Sequence, residues 1–366
     1  MSTEELTRTP WFTAGLRGLG GAGPVLLISR DEVARCLALL DPVAIVREAL
    51  VDHHAGRTVL PAEAYLRWDN DQGAYTRSIA MPGGVVRDGG PAAYGMKIIN
   101  ASVSNPAAGL ERAGGVGLCF DPQTARISAI IEIGLISSVR TAAVSLVGVQ
   151  AAGHADATCL AVLGCGTQGG THLFLLADRL PGLRRVALHD AEPAAAAALA
   201  ERVRRHRPGI EVAVLPDARS ALRDAELVVT ATTADDGYLP PDWIRPGAAV
   251  VNVSLADLTA EALLQAGRLY VDDVELVEQN PRRPLGRLMQ QGLVTAPGST
   301  GGGRPVDATI GALAPRGGAP PEAAGERISA RRGCRRCSAA RWRGSRRAGR
   351  TSGRTWAGSG AAGRRG

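Results

Sequence analysis

The run Thr158-Cys159-Leu160-Ala161-Val162-Leu163 leads into Gly164-Cys165-Gly166-Thr167-Gln168-Gly169. An apolar strand pattern that ends in Gly-x-Gly-x-x-Gly and opens a helix suits a dinucleotide. Gly164 permits the tight turn, Gly166 lets the backbone approach a pyrophosphate, and Gly169 allows close packing of helix on strand. Thr167 and Gln168 start that helix, whose N-terminus favours negative phosphates. Asp190 closes the next strand, 21 residues beyond Gly169. A carboxylate there accepts hydrogen bonds from a ribose diol and repels a 2′-phosphate, so the expected cofactor is NAD rather than NADP. Arg184 and Arg185 nearby soften that preference. Thr232 and Ser254 end two later strands, at the carboxyl edge where open α/β sheets bind ligands. Both are cofactor-site candidates, and ordinary turn chemistry explains each of them equally well.

Of the 42 Lys plus Arg residues, only Lys97 is a lysine. The Ala-, Gly-, Arg- and Pro-rich composition suggests a coding sequence that uses Arg wherever charge alone suffices. Lys differs in being able to lose its proton on burial, so Lys97, in the apolar strand Gly95-Met96-Lys97-Ile98-Ile99, is a candidate proton exchanger. Chance survival on an edge strand is the alternative. Arg77 and Met81 share the segment Tyr75-Thr76-Arg77-Ser78-Ile79-Ala80-Met81-Pro82, and both are substrate-binding candidates. Arg140 lies near the start of an otherwise apolar helix. A cation there opposes the helix dipole unless an anion compensates. A substrate carboxylate held bidentately would compensate; a surface salt bridge would too. Asp257 follows the strand before Ser254, at the nicotinamide end expected for the cofactor. It is either a proton-relaying carboxylate or the cap of the helix from Thr259.

These residues need scaffolds, and the chain supplies two. At 366 residues it has room for about two domains. Residues 1–24 read as a loose leader without the pattern of a secretory signal. From 25 to 145, two helices and then short strands broken by Gly, Pro and Asn suggest an α+β substrate domain with a mostly antiparallel sheet. Ser29 is a plausible cap for the first helix, and a helix from about Ser137 to Ala152 ends this part. From 146 to 300, strands alternate with helices, the grammar of a Rossmann-type doubly wound parallel sheet. From 301 to 366 the chain is rich in Arg, Gly and Ala, and a disordered tail is expected after the apolar segment Thr309 to Leu313.

Charge and cysteine usage exclude several functions. The net charge is +7, but residues 316–366 hold 14 Arg against Glu322 and Glu326, which leaves the body mildly acidic. The body therefore shows no nucleic-acid footprint. A nucleic-acid-binding tail remains a separate reading, poorly supported because Trp342 and Trp356 are its only aromatics. Cys36, Cys119, Cys159 and Cys165 are scattered and read as small core residues. Cys334 and Cys337 form an isolated Cys-x-x-Cys without a second pair, so no metal is expected. No uninterrupted apolar run reaches 18 residues, and a cytoplasmic protein without a membrane segment is the default expectation.

Taken in order, Arg140-Thr141-Ala142-Ala143, the Gly164-to-Gly169 loop and Asn252-to-Asp257 resemble the ornithine cyclodeaminase/mu-crystallin family over about Val25 to Gly298. The resemblance implies that Lys97 and Asp257 are the catalytic pair, that Arg77 and Arg140 bind a carboxylate, and that the protein is a homodimer formed through its first domain. Tyr65-Leu66-Arg67, Asn105-Pro106 with Leu110-Glu111-Arg112-Ala113, and Leu135-Ile136-Ser137-Ser138-Val139-Arg140 look like a subgroup of siderophore-pathway dehydrogenases. These oxidise N-(2-amino-2-carboxyethyl)-L-glutamate to 2-oxoglutarate and 2,3-diaminopropionate. An ornithine cyclodeaminase, a ketimine or alanine-type dehydrogenase, and a cofactor-binding protein without turnover are the other readings. The family's return of the chain to the first domain, through an Asn-Pro-x-Gly-Met-type segment and a final helix, is not evident in this sequence. The tail from about Ala314 looks like a GC-rich gene read in a shifted frame.

Overall fold

Alternation of apolar residues builds the first domain, and a strong cap starts each of its first two helices. The computed structural model describes residues 23–86, 92–314 and 328–331. Strand β1 (Leu26–Ile28) leads into α1 (Arg30–Leu37), where Ser29 and Glu32 form a reciprocal capping box. Helix α2 (Pro42–His54) starts under an Asp41 cap, with Pro42 in its first turn. Strands β2 (Thr58–Val59), β3 (Ala64–Asp69), β4 (Tyr75–Val85), β5 (Ala93–Ser102), β6 (Ala113–Phe120) and β7 (Ile127–Glu132) follow. Among the described residues the sheet has seven strands in the order β1-β7-β6-β5-β4-β2, with β3 also on β4. Its pairs are antiparallel except β1 with β7.

Helix α3 (Gly134–Ala151) is the hinge of the architecture. It packs on β6, α1 and α2 and also on the second domain. It crosses the boundary at 145 that the sequence suggests. By length and mean hydropathy (18 residues, 1.2) it is the one helix among the described residues apolar enough to cross a membrane, yet 56% of it is buried inside the protein. Arg140 interrupts it, which is why no unbroken apolar run shows in the sequence.

The second domain alternates β8 (Cys159–Leu163), α4 (Thr167–Arg179), β9 (Arg185–His189), α5 (Pro193–His206), β10 (Glu211–Val214), α6 (Ala218–Leu222), β11 (Leu227–Thr230), β12 (Ala249–Asn252), α7 (Ala260–Gln265), β13 (Arg268–Val271), α8 (Val274–Glu278) and α9 (Pro284–Gln290). A short pair, β14 (Val294–Thr295) with β15 (Arg304–Pro305), precedes β16 (Ala308–Thr309), α10 (Ile310–Leu313) and β17 (Ile328–Arg331). The parallel sheet runs β10-β9-β8-β11-β12-β17-β13-β16. Strand β8 shows why both faces are covered. Leu160 and Val162 join Leu173, Leu176 and Leu199 on one side, while Ala161 and Leu163 join Leu222, Leu263 and Leu285 on the other. A strand buried on both faces reads as a continuous apolar run, as this one does.

This is the expected α/β class with a second, α+β domain. The sheet continues past residue 300, because β16 pairs with β13. The chain does return to the first domain: α10 packs on α2, and a Cβ on Gly311 would collide with the Leu50 carbonyl. Arg47 donates to the Ala314 carbonyl at 3.2 Å and to Gln150 at 2.6 Å, fixing the same junction. Residues 328–331 of the tail expected to be disordered run as a strand between β12 and β13. Residues 1–22 of the leader and the rest of the tail, with Cys334, Cys337, Trp342 and Trp356, lie outside the described residues.

Candidate active site

One wall of the site comes from strand register. Met81 lies directly opposite Lys97, Ile79 opposite Ile99, and Arg77 opposite Ala101. Side chains alternate along a strand, so Arg77, Met81 and Lys97 share one sheet face. Ile79, Met81 and Ile99 form a small buried cluster there, with Ile133 packed on it. The partner of Lys97 on β6 is Gly117, where a Cβ would meet the Ile133 side chain at 2.9 Å. Lys97 Nζ donates to Ser137 Oγ at 3.4 Å. Ser137 lies in the first turn of α3, and Arg140 follows one turn on. Sheet and helix thus bring Lys97, Met81, Ser137 and Arg140 to one place.

Arg77 stands further along the same face, opposite Arg67 of β3. Burial raises the Tyr75 phenol, but Arg282, Arg77 and Arg67 together bring it below its ordinary value. That end of the face is therefore electropositive. Arg282 comes from the loop between α8 and α9, and no local pattern sets it apart from the chain's other arginines. Glu111, in a segment that resembles the dehydrogenase subgroup, pairs instead with Arg30 at 2.6 Å on the surface.

The glycine loop forms the cofactor wall. Gly164 has φ +89°, and a Cβ there would press on the Ala231 backbone. A Cβ on Gly169 would overlap the Gly164 carbonyl, while Gly166 faces open space. Gly166 caps α4 without a side-chain hydrogen bond, leaving the first-turn amides without a capping acceptor. The Gln168 side-chain oxygen is buried with no hydrogen-bond partner. An open cradle and uncapped amides fit a bound pyrophosphate. Thr167 is exposed at the start of α4. Asp190 accepts from the amides of Cys165 at 2.6 Å and Glu192 at 2.9 Å. Each carboxylate oxygen has a second lone pair, so a ribose hydroxyl can still be accepted. Burial, reinforced by Asp190, pushes the Cys165 thiol up to about 12.

Asp257 is fully buried. Its oxygens accept from Thr232 Oγ1 and Ser254 Oγ. The two hydroxyls sit at the carboxyl edge of the sheet, but they face Asp257. Thr259 caps α7, accepting from the Ala262 amide at 3.1 Å, so Asp257 is not the cap. Helix α3 packs on β12, the strand that leads to Ser254 and Asp257, and so touches both walls. The described residues contain no group of three or more His, Cys, Asp or Glu able to hold a metal ion.

Comparison with known proteins agrees with this architecture. The chain is 34% identical over 233 residues to the N-((2S)-2-amino-2-carboxyethyl)-L-glutamate dehydrogenase of Staphylococcus aureus, covering 63% of this chain and 69% of that protein. The crystal structure of CmnK superposes with a TM-score of 0.75 at 40% identity, over 84% of this chain and 89% of that one. The Δ(1)-pyrroline-2-carboxylate reductase of Thermococcus litoralis, solved with NADH and L-proline, shares the fold (TM-score 0.71, 20% identity, 84% and 92% of the two chains). The model of the ornithine cyclodeaminase/mu-crystallin family matches residues 25–281. This chain belongs to the ornithine cyclodeaminase/mu-crystallin family.

Proposed function

We propose that the protein oxidises the secondary amine N-(2-amino-2-carboxyethyl)-L-glutamate with NAD+ and water, releasing 2-oxoglutarate, L-2,3-diaminopropionate and NADH. The observation that carries this reading is the meeting of Lys97, Met81, Ser137 and Arg140 on one wall, beside a glycine loop shaped for a dinucleotide. The 34% identity to a dehydrogenase of that name supports the substrate.

NAD+ would supply the hydride acceptor that turns the Cα–N bond into an imine; Gly164, Gly166, Thr167, Gln168, Gly169 and Asp190 would hold it. Arg140 and Arg77 grip substrate carboxylates, for which the planar guanidinium is suited. Lys97, poised by Ser137, and Asp257 hold and move protons as water adds to the imine and the amine departs. Met81 closes the apolar side of the wall.

We also propose a homodimer. The sheet face opposite Lys97 carries Leu27, Leu66, Trp68, Met96, Ile98, Val116 and Leu118, by the same alternation. Leu27, Leu66 and Trp68 are 69%, 64% and 44% exposed in the single chain. A second copy would cover such a patch. We place the enzyme in the cytoplasm.

Absorbance in the NADH band, with the purified full chain, NAD+ and the secondary amine, tests the reaction. Stoichiometric 2-oxoglutarate supports it. Proline and ammonia from ornithine without net NADH would instead establish a cyclodeaminase.

A further inference from the structure

Asp257 has no exposed surface, and both its oxygens accept hydroxyls, from Thr232 and Ser254. The proposed reaction requires it to take a proton from a water that attacks the substrate. Something must connect the two. The Tyr238 phenol lies close enough to the same carboxylate and to the Thr232 hydroxyl for both to act on its ionisation, and unlike Asp257 it is partly exposed.

The backbone holds Tyr238 in this position. The amides of Tyr238 and Leu239 both donate to the Asp257 carbonyl at 2.9 Å. Leu239 forms a parallel bridge with Leu258. Gly237 approaches the Leu258 carbonyl so closely that a Cβ would lie 2.6 Å from it, so a side chain there would push the loop away. Burial, then the Asp257 charge, raises the phenol above its ordinary range, and Asp190 is the next charge to act on it. It therefore keeps its proton at working pH. A protonated phenol against a carboxylate is a ready proton donor and, once it has donated, an acceptor.

We propose that Tyr238 relays the proton between the reacting water and the buried Asp257. As the water oxygen bonds to the carbon of the protonated imine left by hydride transfer, the C=N electron pair moves to nitrogen and neutralises it. The water's proton passes to the phenol oxygen, and the phenol's own proton passes to the Asp257 carboxylate. No oxidant or reductant is consumed. The relay rests on the oxidative hydrolysis proposed above.

Tyr238→Phe in the full chain removes one oxygen and keeps the ring. We expect kcat to fall on the order of 100-fold, with KM and NADH affinity within about twofold of the parent and the low-pH limb of the rate profile moved to higher pH. Unchanged kcat, with Thr232→Val inactive, would make Thr232 the conduit and overturn the proposal. A second readout needs no turnover. The 13C-carboxyl NMR signal of Asp257, assigned by its loss in Asp257→Asn, should change its chemical shift in Tyr238→Phe. An unmoved signal would also overturn the relay. If the parent protein does not oxidise the secondary amine, the proposed substrate fails, and this signal still decides the role of Tyr238.

Discussion

Lys97 and Ser137 join the sheet to the first turn of α3 through a 3.4 Å hydrogen bond. The only lysine in the chain thus points at the helix that also carries Arg140. Charge alone is available to this protein from its many arginines, so the proton exchange proposed for Lys97 has a direct test. Lys97→Arg should keep the charge and lose the exchangeable proton, lowering kcat about 100-fold or more while NADH binding is retained. Steady-state rates together with NADH fluorescence titration read both. A variant with half the parental rate would reduce Lys97 to a simple cation.

The three loop glycines separate folding from binding. Gly166 faces open space, so Gly166→Ala should leave the melting temperature nearly unchanged and weaken NADH binding about tenfold, or about 1.4 kcal/mol. Gly169 packs on the Gly164 carbonyl, so Gly169→Ala should lower the melting temperature as well. Thermal melts beside fluorescence titrations test the pair. Equal destabilisation by both would contradict this division.

Asp190 holds two loop amides, and the proposed function gives it the cofactor ribose as well. Asp190→Ala should lower NADH affinity more than NADPH affinity, because the 2′-phosphate no longer meets a carboxylate. The ratio of the two dissociation constants measures this. An unchanged ratio would show that cofactor choice lies elsewhere.

Cys165 lies inside the cofactor loop but is no nucleophile. Burial and Asp190 disfavour its thiolate, with the thiol pushed up to about 12, so at pH 8 it stays neutral. Burial also raises the Cys159 thiol. N-ethylmaleimide at pH 8 should modify exposed Cys36 and spare Cys159 and Cys165 in peptide maps. Sensitivity of the buried pair should appear on unfolding.

Leu66 and Trp68 are exposed in the single chain, so charging them should leave the protomer folded. Leu66→Glu with Trp68→Glu should convert a dimer to monomers in sedimentation analysis, with little change in helical circular dichroism. An unaltered dimer would move the interface off this face.

Local pattern made much of the chain legible. The strand, glycine loop and helix from Thr158 onward and the Ser29 cap stand where their sequence suggests, since period and caps are encoded within a few residues. The roles of Gly164, Gly166 and Gly169 follow from the strand, turn and helix around them. Asp257 as a cap was a fair alternative that only Thr259's bond to Ala262 removes.

Tertiary structure decided which of these residues meet. Lys97 faces Met81 because of the β4–β5 register, and a one-residue slip would turn Lys97 to the opposite face. Thr232, Tyr238, Ser254 and Asp257 converge from two loops, one after β11 and one after β12, a grouping no spacing in the chain announces. Arg282, from the other domain, comes close enough to act on the Tyr75 phenol. The return of α10 to α2 rests on the fit of Gly311 against Leu50, which a four-residue helix cannot advertise. Sequence by itself determined the elements and the chemistry on offer, because those depend on near neighbours. Pairing, packing and side-chain convergence depend on residues far apart in the chain, and only the folded arrangement settles them.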